Sequence, residues 1–381
     1  MMWKLLFRNA FRHKLRALLT VFGVAVAVLA FGLLRTVVDA WYAGVSAAAA
    51  NRLIIRNAIS LTFFLPIAYM EKIRAVDGVQ AISHMTWFGG VYIDRKNFFA
   101  NFAVEGKPFL DLYPEFILPE DQKDAFGKDR KGCVVGRGLA RRFGWKVGDS
   151  ITLQGTIFRG DWPMTVRGIY SGRERTVDEN QLFFHWDYLN ERLKAAAQRR
   201  ANQAGIFIIE IADPHAAAAV SGSIDAVFQN SLAETLTETE RAFQMGFVSM
   251  SEAILVAIRL VSFLIIGIIM AVTANTMIMS VRERMHEFAV FKTLGYGAGR
   301  LSSLILGESA VICAAGGALG IAATFPALRI LARYVSNVFP VLDISTATLC
   351  YDVLTVAAVA LIAAVFPIRR VVTVPIVEAL G

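Results

Sequence analysis

The residues able to do chemistry are dispersed along this chain. The five histidines His13, His84, His185, His215 and His286 stand singly, with no H-E-x-x-H pair and no Cys/His spacing of the kind that holds a metal. Cys133 is alone in the central block, and Cys313 and Cys350 fall inside apolar runs, so all three read as small packing residues. No G-x-x-x-x-G-K-[ST] or G-x-S-x-G motif occurs, and Gly127-Lys128 is followed by Asp129, which lacks the hydroxyl that would hold Mg²⁺. The chain is therefore expected to bind no cofactor or metal and to catalyse nothing itself. What remains is the segment from Val281 to Gly295, a short charged helix between two long apolar runs. Val281, Met285, Phe288, Ala289 and Phe291 recur at helical spacing, while Arg282, Glu283, Arg284, Glu287 and Lys292 form a polar set. Lipid cannot satisfy such a set, and a soluble partner can. The chemistry it offers is docking.

The elements that position this helix are membrane spans. The chain is 56% hydrophobic and 18% charged over 381 residues, with pI about 9.5; a soluble protein carries roughly a quarter charged residues. Apolar runs at Ala17–Val38, Ile254–Val281, Leu301–Ala323 and Thr346–Phe366 each meet the need for about 20 residues to cross a 30 Å core. The net charge of +8 does not mark a nucleic-acid binder: residues 39–251 hold 24 basic and 24 acidic residues, leaving 15 against 7 elsewhere. Most of those bases flank one side of all four spans, which places both termini and the 282–300 loop in the cytoplasm.

The expected fold is an integral membrane helical protein with four spans and a large α+β extracytoplasmic domain between the first and second. Its parts are a cytoplasmic amphipathic helix at 1–16, a span at 17–38, the outer domain with stalk extensions at 39–251, a span at 252–281 and the charged helix and loop at 282–300. A span at 301–325, a short outer loop at 326–345, a span at 346–366 and a cytoplasmic tail at 367–381 complete it. Strands are predicted at Arg52–Arg56, Gly78–Phe88, Gly90–Asp94, Phe98–Glu105, Gly132–Val135, Ser150–Gln154, Thr165–Tyr170 and Gly205–Ile211. Helices are predicted at Ile67–Val76, Gly138–Phe143, Tyr188–Arg200 and His215–Phe228, and a helical stalk from Leu232 toward the second span.

Three further features carry expectations. Glu308 lies inside the third span, where a carboxylate needs a partner or a role. Gly316 and Gly320 give a small-residue face suited to close helix approach, including contact with a second protomer. Phe63, Phe64, Tyr69 and Trp87 belong to segments unusually apolar for a domain in water, readable as strand core or as a face for lipidic cargo, a partner or the bilayer.

The stretch Asn275-Thr-Met-Ile-Met-Ser-Val-Arg-Glu-Arg-Met-His-Glu-Phe-Ala-Val-Phe-Lys-Thr-Leu-Gly295 resembles the signature of the MacB/FtsX-like ABC transporter permeases. Leu6–Thr20 resembles the family's amphipathic start, Val134–Leu153 the core of its MacB-type periplasmic domain, and Pro367–Arg370 with Pro375–Leu380 its ending. The resemblance implies a type VII, mechanotransmission complex in the bacterial cytoplasmic (inner) membrane. Two permease protomers, alike or related, would sit on two copies of a separate ABC ATPase that binds the ATP and Mg²⁺, with a periplasmic adaptor or substrate-binding protein as a further partner. Residues 252–381 would form the FtsX-like permease domain, with Arg284, Glu287, Phe288, Ala289, Lys292, Leu294 and Gly295 on its coupling helix. Cytoplasmic ATP hydrolysis would then drive export or extraction of a hydrophobic or amphipathic substrate such as a lipid, lipoprotein, peptide or small molecule. The alternative is an FtsX-like complex that activates a cell-wall hydrolase and transports nothing.

Overall fold

The computed structural model describes residues 12–42, 45, 48–174, 176–196, 199–335 and 342–373. The amphipathic start before Arg12, the ending after Thr373 and part of the expected outer loop lie outside the described residues. The chain divides into two compact units, one of long helices and one formed chiefly by residues 41–250.

Helix α1 spans Lys14–Trp41 and leads in sequence to a mixed α/β domain. Its strands are β1 (Arg52–Asn57), β2 (Leu65–Pro66), β3 (Val79–Trp87), β4 (Gly90–Tyr92), β5 (Ala100–Val104), β6 (Phe116–Ile117), β7 (Gly132–Gly136), β8 (Ser150–Gly155), β9 (Gly160–Gly172), β10 (Gln181–His185), β11 (Gln203–Ala204), β12 (Ile206–Ile211) and β13 (Thr235–Thr239). Between them run α2 (Tyr69–Arg74), α3 (Lys107–Leu112), α4 (Glu120–Lys128), α5 (Arg137–Phe143), α6 (Trp186–Ala195) and α7 (Ala217–Val227). Eleven strands join one sheet in the order β13-β1-β12-β3-β5-β10-β7-β9-β8-β4, with β6 pairing on β9. The pairs β5/β10 and β7/β9 are parallel, and the rest of that path is antiparallel.

Helices α3 and α4 and the short strands β2, β6 and β11 were not predicted, and two further departures bear on the main sheet. Strand β10 is central yet was not predicted, because its short Leu182-Phe183-Phe184 run has neither alternation nor a β-branched residue: Phe184 enters the core with Phe88 and Leu153, and Phe183 the one with Phe109 and Tyr170. The helical stalk from Leu232 is replaced by β13, which pairs with β1. Its β-branched Thr235 and Thr237 are buried and donate their hydroxyls to the Asp225 carboxylate at 2.8 and 2.7 Å, a pairing invisible to local propensity. Helix α8 (Glu240–Met250) follows, and Ser251, at φ −105° and ψ 10°, separates it from the next helix.

The helical unit continues with α9 (Glu252–Glu283), α10 (Met285–Thr293), α11 (Ala298–Val335) and α12 (Thr346–Thr373). Four helices, α1, α9, α11 and α12, are long and apolar enough to cross a membrane. All overrun the apolar runs that identify them, since backbone hydrogen bonding continues after hydropathy falls; α11 passes through Pro326 to Val335 instead of ending in a loop at 326.

Small residues set the closest helix approaches. A Cβ on Gly316 would lie 2.7 Å from Val24 Cβ, and one on Gly320 would lie 2.6 Å from the Ala25 carbonyl. Both glycines therefore seat α11 on α1 of the same chain, which overturns their reading as a face toward a second protomer. Gly317 does the same toward α12, where an added Cβ would meet Val356 at 2.5 Å. Ser309 Oγ also donates to the Ala360 carbonyl at 2.9 Å. Outside these contacts the helices show apolar side chains, among them Phe263, Leu264 and Ile268 on α9, as a lipid-facing surface requires.

Candidate functional site

The charged segment forms a helix hinged at Arg284. Arg284 leaves helical geometry at φ −111° and ψ 15°, closing α9 through its N–H to the Val281 carbonyl and opening α10 through its own carbonyl, which accepts from the Phe288 N–H at 3.1 Å. At the other end Leu294 is the cap and Gly295 turns left-handed at φ +85°. The Gly295 N–H donates to the Lys292 carbonyl at 3.1 Å and the Tyr296 N–H to the Phe291 carbonyl at 3.0 Å, while the Phe291 and Tyr296 rings pack 5.3 Å apart. This is a Schellman closure with its apolar contact, and only glycine takes the required backbone without strain. The helix is thus fixed at both ends.

Its inner face is buried in its own unit. Phe288 is 1% and Ala289 2% exposed, and Phe288 packs with Val21, Met277, Val281, Leu301, Ile305 and Val371. Phe288 is therefore an internal anchor and cannot fill a partner's groove, a correction to its reading as part of a docking face. Arg284 is also buried, its Nη1 donating to Glu308 Oε1 at 2.6 Å and its Nε to Glu287 Oε2 at 3.0 Å. Burial alone would disfavour the cation, but the Glu308 charge and the two carboxylate hydrogen bonds raise the Arg284 pKa above its ordinary value. Glu287 is held below the usual carboxylate range, chiefly by the hydrogen bond from Arg12 and also by Arg284.

The sequence did not reveal the latch onto α1. Arg16 donates from both terminal nitrogens to Glu283 at 2.9 and 2.7 Å, and His13 lies 3.2 Å from the same carboxylate. These residues are 267 or more positions apart, so no local pattern links them. Lys292 Nζ donates to the Val372 carbonyl of α12 at 3.3 Å. What α10 leaves uncovered is a row of His286, Val290, Thr293 and Leu294, continued by Tyr296, with Leu294 69% exposed.

In the α/β domain the apolar residues divide. Phe64 stacks on Phe158 at 6.1 Å between ring centres, and Tyr69 stacks on Phe228 at 4.2 Å while its hydroxyl meets Ser231. Both are core-packing residues. Phe63 and Trp87 are 53% and 40% exposed, and Trp87 lies beside the equally exposed Phe98. Among the described residues no group of three or more His, Cys, Asp or Glu side chains is placed to hold a metal.

Four long apolar helices, a large α/β domain between the first two, and a capped charged helix between the second and third define a four-span membrane protein with a domain inserted after its first span. Residues 17–227 match the MacB-like periplasmic core domain, and residues 259–376 match the FtsX-like permease C-terminal domain. The chain belongs to this family of FtsX/MacB-like ABC transporter permeases. It is 22% identical over 335 residues to an uncharacterized ABC transporter permease of Methanocaldococcus jannaschii, covering 83% of this chain and 80% of that one. Among solved structures, the extracellular domain of the noncanonic ABC-type transporter YknZ from Gram-positive bacteria aligns at TM-score 0.37 and 10% identity, covering 50% of this chain and all of that one. A domain assigned to a permease protein of Porphyromonas gingivalis aligns at TM-score 0.36 and 14% identity, covering 50% of this chain and 92% of that one.

Proposed function

We propose that this chain couples ATP hydrolysis by a separate ABC ATPase to movement of its own spans and outer domain, and that the ATPase docks on the row His286, Val290, Leu294 and Tyr296. The observation that carries this reading is the division of α10 into a face locked to α1, α11 and α12 and a face left open. A helix held by Arg284–Glu308, Glu287–Arg12 and buried Phe288 cannot slide independently, so a push on its outer row moves the spans that hold it. A floppy loop would absorb the same displacement.

Two permease protomers would flank two ATPases that bind the ATP and Mg²⁺. By charge asymmetry both termini and α10 face the cytoplasm, and residues 41–250 lie outside the cytoplasmic membrane. Exposed Phe63, Trp87 and Phe98 favour a hydrophobic or amphipathic substrate, moved by export or extraction. The size of the outer domain supports transport machinery over activation of a cell-wall hydrolase.

The test is co-purification. Leu294→Glu and Val290→Glu are each expected to lower recovery of the cognate ATPase at least tenfold while leaving thermal stability and membrane insertion as in the parent. Full ATPase recovery and growth in both variants would remove the docking assignment.

A further inference from the structure

Asp352 lies in the second turn of α12, 1% exposed, with no hydrogen-bond partner for either carboxylate oxygen among the described residues. Its Oδ2 is 3.1 Å from the point where a Cβ on Gly32 of α1 would stand, and Thr324 Oγ1 of α11 is 3.4 Å from that same point. Three helices thus converge on one carboxyl group, and a side chain on Gly32 would occupy the space in front of it.

The groups around it decide which form of the carboxyl fits. Thr324 Oγ1 donates to the Gly320 carbonyl at 2.9 Å, and Thr36 Oγ1 donates to the Gly32 carbonyl at 2.7 Å. Each of these two hydroxyls has spent its one proton, so toward Asp352 they offer lone pairs only. An ionised carboxylate only accepts, whereas a carboxylic acid has one O–H to give.

The charged and titratable groups nearby are engaged elsewhere. On α1, Arg35 sits with its guanidinium 4.7 Å from the Tyr351 ring centre and its Nε 3.4 Å from Asp39 Oδ1. Asp39 Oδ2 accepts from Ser345 Oγ at 3.0 Å and from Thr348 Oγ1 at 2.8 Å. On α11, Glu308 is more than four turns away in sequence and is paired with Arg284. Among the described residues no ion pair reaches Asp352, and an unpaired ionised carboxylate inside a membrane bundle is strongly disfavoured.

We propose that Asp352 is a proton-binding site within the helical unit, filled at neutral pH, and that its proton permits α1, α11 and α12 to close around Gly32. Loss of the proton to water breaks the O–H bond and leaves a carboxylate facing acceptors, so the contact loosens.

Infrared difference spectroscopy on the full chain in lipid nanodiscs tests this. The wild type minus Asp352→Asn spectrum at pH 7 should contain the carbonyl stretch of a protonated carboxylic acid, unchanged by sodium. Selective ¹³C-aspartate labelling of the unmodified chain should shift the same band, which keeps the test decisive if the Asn variant folds poorly. The wild type should also lose thermal stability between pH 7 and pH 9 relative to Asp352→Asn, because the folded state then holds a proton that the unfolded chain releases. Absence of an acid carbonyl band at pH 7, a band unmoved by aspartate labelling or retained in Asp352→Asn, or a band abolished by sodium, as at a metal-ion site, would each overturn the assignment.

Discussion

Arg284 and Glu308 meet at 2.6 Å in the interior of the helical unit, one at the hinge before α10 and the other inside α11. Each answers the other's desolvation, and together they bind the charged helix to a span that follows it in sequence. The pairing explains why a carboxylate persists in an otherwise apolar helix.

Removing one partner should therefore be worse than removing both. Glu308→Leu leaves a buried guanidinium without its main counter-charge, a loss on the order of 3–5 kcal/mol. The double variant Arg284→Met, Glu308→Leu should recover most of that stability, and thermal unfolding of the purified chain in nanodiscs measures both. Equal destabilisation by the single and double variants would show that the pair does not act as a unit.

Phe288→Ala is expected to act on the fold before it acts on any partner. Deleting a fully buried ring from the cluster with Val21 and Leu301 costs about 3–5 kcal/mol. Thermal stability should fall in the absence of ATPase, in contrast to Leu294→Glu. A Phe288→Ala chain of unchanged stability would place that ring outside the core.

Glycines on the spans should differ sharply in tolerance. Gly320→Leu must push α1 away, because even a Cβ would stand 2.6 Å from the Ala25 carbonyl and 2.8 Å from Val28 Cβ. Gly267→Ala on α9 meets nothing within 4 Å and should be accepted without loss. Yields of folded monomer by size-exclusion chromatography compare the two.

His185 gives the outer domain an acid-sensitive point. Its ring stacks on Phe126, and Nε2–H donates to the Phe126 carbonyl at 2.7 Å. Burial lowers its pKa, and the carbonyl bond only partly opposes this. The unfolded chain then takes up the proton first, at a pKa of about 6.5. The stabilising contribution is present above that value and is lost as pH falls through the folded pKa. His185→Gln keeps a donor that cannot titrate, so tryptophan-monitored unfolding between pH 7 and pH 5 should show a shallower acid loss than the parent.

Much of the architecture was legible because the signals are local. Hydropathy located all four long helices, and runs of strand-forming residues bounded by turn residues marked β1, β3, β8 and β12. Strand β10 escaped because, unlike the Ile-rich β1 and β12, which are also buried on both faces, it has no β-branched residue to mark it. Strand β13 escaped because its stability comes from pairing with β1 and from Asp225, not from its own propensity. At the candidate site, residue types and spacing predicted a charged helix, a glycine stop and a costly carboxylate at Glu308.

Which face of that helix is open depended on the tertiary structure. Helical periodicity distinguishes an apolar stripe from a polar one, but it cannot say whether the stripe meets a partner or the chain itself. Packing gave Phe288 and Ala289 to the interior and left Val290 and Leu294 outside. The same limit applies to Gly316 and Gly320, whose spacing announces a close approach without naming the helix approached, and to Arg16 with Glu283 and Asp352 beside Gly32. By itself the sequence determined the type of many elements, the number of long apolar helices and the absence of recognised catalytic motifs, because those follow from side-chain chemistry within a few turns. Only the folded structure decided the partners, because a contact across hundreds of residues is set by where whole helices come to rest and leaves no mark on local spacing.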